Sequence, residues 1–226
     1  MVNACCSCFS FGKSTDKMVS YRLTYFQPRA LAECSRLVLV YSGQPFEDVR
    51  LTHDEFPMLK DTLGLPYGQL PLLEVDGQKI VQSGAIVRFL AKRFGLNGAN
   101  EFESAKADGI HAFYYDMFRT MHPYAAARMG FVPGADTAKL HQEVFLPAAR
   151  KALAVYDELV KWSSFGFVLE SGISYSDFVI AEHLHSIFLM EPSFADQFPA
   201  LALYKKKIHG LPQIVDYVKG RPNTIV

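Results

Sequence analysis

Gly68-Gln69-Leu70-Pro71-Leu72-Leu73-Glu74-Val75-Asp76-Gly77-Gln78-Lys79-Ile80-Val81-Gln82-Ser83-Gly84 is the stretch that decides the fold. Pro71 has no N–H to give to a ladder, so it belongs at the start or edge of a strand. Leu72 to Val75 continues as that strand. Asp76-Gly77 is the strongest short hairpin signal a sequence can carry, and Lys79-Ile80-Val81 is the return strand. Ser83 then opens a helix whose apolar positions Ile86, Val87, Phe89, Leu90 and Phe94 recur at helical spacing until Gly95 ends it. The unit is ββα.

Upstream, Tyr21-Arg22-Leu23-Thr24-Tyr25 alternates in the manner of a strand, and Phe26-Gln27-Pro28 turns the chain. Ala30, Leu31, Cys34, Leu37, Val38 and Tyr41 recur at spacings of three and four, which predicts an amphipathic helix stopped by Gly43. Phe46 to Leu51 is a second strand. Residues 52–69, with Pro57, Gly64, Pro66 and Gly68, read as a long loop with room for a short helix. The order β-α-β-loop-β-β-α closes a small sheet, and a right-handed first crossover makes its first two strands parallel.

Downstream, Leu96 to Asn100 is the boundary, and beyond Glu101 strand signals vanish. Ile110, Phe113, Tyr114, Met117, Phe118 and Met121 form one helical stripe. Val144, Ala148, Ala152, Val155, Tyr156 and Leu159 form another, which Pro147 is expected to kink. Ser174-Tyr175-Ser176-Asp177 has capping-box spacing, with Ile173 and Phe178 placed as a hydrophobic staple. The helix from Phe178 to about Phe188 is apolar on most sides and is expected to be central.

The chain has 226 residues, half of them apolar, and 23 basic residues balance 23 acidic ones. This is ordinary globular composition, and a neutral chain lacks the basic face that nucleic acid demands. No apolar run approaches the roughly 18 residues of a membrane span. No signal pattern opens the chain, and the cysteines form no disulfide framework, which predicts a cytoplasmic, reducing setting. Residues 1–17 read as a disordered tail. Its Cys5, Cys6 and Cys8, beside Phe9 and Phe11, are candidates for acylation and membrane attachment. Cys5-x-x-Cys8 lies upstream of the first strand, which argues against a redox motif, and one pair is too few ligands for zinc. Cys34 is expected to be a buried, unpaired thiol. His183 and His185 point to different helix faces and make no metal pair.

Three positions could carry chemistry, each with a plainer alternative. Leu70–Pro71 is either a rigid turn or, if cis, a backbone presented to a ligand. Ser83 either caps its helix or, with Gln82 and the free N–H groups of the first turn, receives a carboxylate or phosphate. Tyr25 either packs under the helix or donates its hydroxyl to a bound group.

Their joint order resembles the soluble glutathione transferases. Residues 18–226 are similar to the sigma class, and to its nematode members in particular, through several stretches. These are Tyr-Arg-Leu-Thr-Tyr-Phe at 21–26, Ala32-Glu33, Gly68 to Gly77, and Gln82-Ser83-Gly84-Ala85-Ile86. Phe145-Leu146-Pro147-Ala148, Tyr175-Ser176-Asp177, Ala181-Glu182-His183 and Arg221-Pro222 complete the set. The resemblance implies a thioredoxin-like α/β domain over 18–97, an all-α domain over 101–226 and a homodimer. It implies glutathione as co-substrate, a small-molecule electrophile, and no metal.

By the same resemblance Tyr25 is the catalytic tyrosine, donating to the glutathione sulfur. Gln82 and Ser83 would grip the γ-glutamyl carboxylate. Leu70 would pair its backbone with the cysteinyl unit, beside a cis Pro71, and Gly68 and Gln69 are further expected glutathione contacts. Phe56 and Lys60 would meet the glycyl end, and Asp116 the partner subunit's ligand. Phe26, Met117, Met121 and Tyr124 are expected to line the electrophile pocket, the methionine stripe keeping one edge packed and one facing the cleft.

Three departures stand out. Phe56 replaces a usual tryptophan, and Gln69 a frequent lysine. Leu31, in Arg29-Ala30-Leu31, replaces an arginine that helps lower the thiol pKa, so a weakly activated thiol is expected. The implied function is conjugation of small apolar electrophiles for detoxification, or glutathione-dependent isomerase or peroxidase chemistry on lipid-derived substrates. A non-catalytic binding or crystallin-like structural protein is the alternative.

Overall fold

The computed structural model describes residues 19–161 and 166–226, so the expected tail and its Cys5, Cys6 and Cys8 lie outside the described residues. Strand β1 (Tyr21–Phe26) leads through a tight turn at Ala30–Ala32 into helix α1 (Glu33–Tyr41). Gly43 ends α1 as expected. Its φ is +64°, its N–H donates to Val40, and Gln44 N–H donates to Leu39, the paired bonds of a Schellman motif. Strand β2 (Glu47–Leu51) follows, parallel to β1, with Tyr25 opposite Arg50.

Strands β3 (Leu72–Val75) and β4 (Gln78–Val81) form the hairpin, and β3 runs antiparallel to β1. Asp76 and Gly77 both have positive φ, +50° and +84°, as a type I′ turn requires. The sheet order is β2-β1-β3-β4, which puts β1 and its Tyr25 inside the sheet. Within the stretch read as a long loop with room for a short helix, residues Glu55–Leu63 form helix α2. Helix α3 (Ser83–Arg93) closes the unit.

Helix α4 (Glu101–Arg128) opens the helical part, capped by the Asn100 side chain, which accepts from Phe102 and Glu103 N–H at 3.0 Å each. The second stripe is not a simple kinked helix. Helix α5 (Thr137–Leu140) passes into a π-helical turn at His141–Phe145 and then helix α6 (Leu146–Lys161). The irregularity expected at Pro147 therefore lies in the turn before it. A proline ring collides with the carbonyl four residues back, and a widened turn makes room for it.

Helix α7 (Tyr175–Met190) is buried nearly all round and packs on α1, α4 and α9 (Pro199–His209). Its capping box is present, with Ser174 N–H donating to Asp177 Oδ2 at 2.7 Å. Helices α8 (Ser193–Gln197) and α10 (Val215–Gly220) complete the fold. Cys34 is buried and unpaired, facing the Tyr175 carbonyl.

A chain of buried charges ties α1 to α7. Arg36 donates to Glu33 at 3.1 Å, and Arg221 donates to both Glu33 and Glu182, at 2.7 and 2.8 Å. Arg29 donates to Glu182 at 2.6 Å. Burial pushes the Glu182 carboxyl up, but its hydrogen bond with His209 and the charges of Arg221 and Arg29 outweigh this and hold it well below its ordinary range. A depressed folded pKa gives stability that is complete above the ordinary value of 4.5 and drains away as pH falls below it. Glu182→Gln leaves the buried Arg29 guanidinium without its counter-charge and Arg221 with Glu33 alone, and should cost roughly 3–5 kcal/mol at neutral pH. Urea unfolding at pH 7 checks the loss, and the gap between wild type and variant should shrink as the pH is lowered below 4.5.

Candidate functional site

Tyr25 stands at the end of β1, facing the helical part, with a side chain almost wholly buried. The Leu31 backbone amide favours the charged form of the Tyr25 hydroxyl, as does the Arg36 guanidinium, which lies 6.0 Å from the tyrosine ring centre. Burial raises the phenol pKa, and the Leu31 amide and Arg36 charge pull against it only in part, so it is pushed up to about 12. The hydroxyl is therefore neutral at physiological pH and available to donate. Leu31 brings no charge to the tyrosine in place of the missing arginine. Arg36 supplies the nearest guanidinium, but its charge is shared with Glu33 and with Asp48, 2.9 Å away.

Leu70–Pro71 is cis. Gln69 Oε1 accepts from Gln82 Nε2 at 3.3 Å, which joins the loop before β3 to the start of α3. Ser83 is the first residue of α3 rather than its cap; Gln82 holds the capping position with φ +74°. The plain capping role for the Ser83 hydroxyl is thus absent. The α3 start opens on a crevice of about 350 Å³ whose walls include Arg88, His111 and Tyr115. Gly84 allows this approach: a Cβ there would stand 3.1 Å from both Arg88 Nη1 and His111 Cε1. Burial and the Arg88 charge lower the His111 pKa to about 4, so its ring is neutral. Arg88, His111 and Tyr115 are not marked by the sequence motifs. Arg88 falls one helical turn past the motif, and the other two come from α4, across a contact with no local signature.

Lys60 lies over Gly68, its Nζ 3.2 Å from where a Cβ would be. Phe56 packs edge-on against Phe26 with ring centres 5.2 Å apart, and Phe26 lies 5.4 Å from Tyr25. Asp116 is exposed on α4.

Between the two parts of the chain runs a cleft of about 540 Å³, with Tyr25, Phe26, His53, Phe118, His122 and Phe131 among its walls. Of the four expected pocket residues, Phe26 is on that wall. Met121 lines a small inner cavity that shares Phe118 and His122 with it. Met117 and Tyr124 turn into the helical core. The Tyr124 hydroxyl accepts from Arg128 at 2.9 Å, and its ring packs 4.9 Å from Phe145. The helix advances about 100° per residue, so Phe118, His122 and Ala126 present one face and Met117 and Tyr124 another.

The four-stranded α/β unit and the helical unit behind it both match known proteins. Residues 21–92 match the glutathione S-transferase N-terminal domain family, and residues 120–221 the glutathione S-transferase C-terminal domain family. This chain belongs to the glutathione S-transferase family. A probable glutathione S-transferase 5 of Caenorhabditis elegans is 41% identical over 92% of this transferase and 99% of its own length. The crystal structure of a monomeric glutathione S-transferase from the hookworm Necator americanus superposes with a TM-score of 0.82 at 40% identity, covering 91% of this chain and 98% of that one. A prostaglandin synthase D of Nilaparvata lugens gives 0.78 at 29% identity, covering 90% and 100%.

The transferase should show no Tyr25 phenolate at or below the ordinary tyrosine pKa of 10.0. Ultraviolet pH titration of wild type minus Tyr25→Phe isolates that group. A difference signal rising only near pH 12 is expected, and one rising below 10.0 contradicts the site's electrostatics.

Proposed function

We propose that the Tyr25 hydroxyl donates to the sulfur of bound glutathione and holds it as a thiolate for attack on a small apolar electrophile in the cleft. The observation that carries this is a phenol kept protonated by burial at the cleft wall. Each unit of thiol pKa depression needs about 1.4 kcal/mol, so one charge-assisted hydrogen bond of roughly 1.5–3 kcal/mol can supply one to two units. Leu31 adds no cation, which limits the activation.

Glutathione would lie along one strip of the α/β unit. Its γ-glutamyl carboxylate meets the α3 start at Gln82 and Ser83, where free N–H groups and the helix dipole favour an anion. Arg88 lines that crevice, its charge shared with Asp108 at 2.9 Å. Gly68, Gln69 and Leu70 meet the cysteinyl unit beside Pro71, and Phe56 and Lys60 the glycyl end. A sigma-class-like homodimer, in which Asp116 reaches the partner's glutathione, belongs to the same proposal, although the hookworm relative is described as monomeric. So do a detoxifying role in the cytoplasm and membrane attachment through acylated Cys5, Cys6 and Cys8, which rest on sequence. Isomerase or peroxidase chemistry on lipid-derived substrates is the second reading, favoured by the similarity to a prostaglandin synthase.

The test is retention on immobilised glutathione followed by turnover with a generic aryl halide. Tyr25→Phe should keep retention and lose about 10- to 100-fold in kcat/KM, the equivalent of one to two pKa units. Retention with turnover that does not depend on Tyr25 would favour a non-catalytic binding or structural protein. Leu31→Arg should raise turnover below neutral pH, where thiolate is scarce.

A further inference from the structure

Two helix-terminal motifs hold a pair of rings together across the mouth of the cleft. At the start of α2, Thr52 N–H and Oγ1 donate to Glu55 Oε2 at 2.7 and 2.9 Å, and Glu55 N–H donates back to Thr52 Oγ1 at 3.2 Å. This reciprocal Thr-x-x-Glu box fixes the turn that carries His53. At the end of α4, Gly130 has φ +80°; its N–H donates to Ala127 and the Phe131 N–H to Ala126, at 3.1 and 3.0 Å. That pair is a Schellman motif, and it fixes where Phe131 stands.

The His53 imidazole stacks on Phe26, with ring centres 4.6 Å apart and planes 13° from parallel. It also meets Phe131, with centres 4.4 Å apart. The rings of Tyr25, Phe26, His53 and Phe131 thus run outward in steps of 5.4, 4.6 and 4.4 Å. They start at the buried hydroxyl and end at a phenyl ring that is 49% exposed. His53 belongs to the α/β unit and Phe131 to the helical unit, so their contact closes this side of the cleft.

We propose that His53, backed by Phe131, is the end wall of the electrophile site and sets how far an apolar group can extend from the sulfur. The substrates this favours are compact electrophiles with short apolar tails. A longer chain must displace an imidazole stacked on Phe26 and held by a capped turn. His53 takes no part in the bond-forming step; its role is to select substrate length. The inference rests on the proposed placement of the glutathione sulfur at Tyr25.

The test uses the full chain and calorimetric titration with S-alkylglutathiones from methyl to decyl, which needs no turnover. In the wild type, affinity should rise about fourfold per methylene, the equivalent of ~0.8 kcal/mol, until the chain meets the wall, and then stay flat. His53→Ala and Phe131→Ala should each move that break to longer chains and raise the ratio of S-decyl to S-methyl affinity by about tenfold or more. His53→Phe keeps a flat ring on Phe26 and should restore the wild-type break. An unmoved break in both alanine variants, or a wild type with no break, overturns the end wall while leaving glutathione binding intact. A wild type that does not bind even S-methylglutathione overturns the glutathione reading and this inference together.

Discussion

The spacing between the two halves of the molecule depends on Arg221, whose guanidinium lies between Glu33 on α1 and Glu182 on α7. Both carboxylates are buried, and so are the Arg29 and Arg36 guanidiniums that complete their coordination. Isolated charges in such a setting would be untenable; arranged with alternating sign and short contacts they offset one another, while Arg29 Nε, Arg36 Nη2 and Arg221 Nη2 stay without a hydrogen-bond partner. Apolar packing between α1 and α7 supplies attraction but little direction. The ion chain supplies direction, because a guanidinium bonded to two carboxylates admits only a narrow range of separations. The register of the two units follows from it, and so does the cleft they enclose.

The chemistry of the site follows from that register. Tyr25 is buried because the helical unit covers the end of β1, and burial is what keeps its phenol neutral. The same chain of charges governs Arg36. This is the guanidinium nearest the tyrosine ring, yet it is shared between Glu33 and Asp48 and has little field left to lend. Leu31 adds no charge of its own beside the hydroxyl, and burial dominates its pKa. Across the cleft, the α4 face bearing Phe118 and His122 supplies an apolar wall with imidazole edges.

Much of this was legible in the sequence where the signals are local. The Asp76-Gly77 turn, the Gly43 stop and the Ser174–Asp177 box each depend on residues within one turn of one another, and each appears as expected. Helix α2 was obscured because its Thr52–Glu55 cap sits among prolines and glycines that favour a loop reading. Pro147 was correctly seen as a disturbance, but the strain is absorbed by the preceding turn, which propensity does not describe. The inner members of the site were least legible. Which of Met117, Phe118 and Met121 faces the cleft is a question of helix rotation, set by long-range packing. Arg88, His111 and Phe131 join the site or cleft through contacts between segments far apart in sequence.

The central claim is that the cleft places a glutathione sulfur at a neutral Tyr25, with the γ-glutamyl end at the start of α3. A crystal structure of the full chain soaked with glutathione measures this directly. The account predicts the sulfur within hydrogen-bonding distance of Tyr25 Oη and the γ-glutamyl carboxylate on the Ser83 N–H and hydroxyl. Glutathione bound with its sulfur away from Tyr25, or with its carboxylate elsewhere than the α3 start, would contradict it.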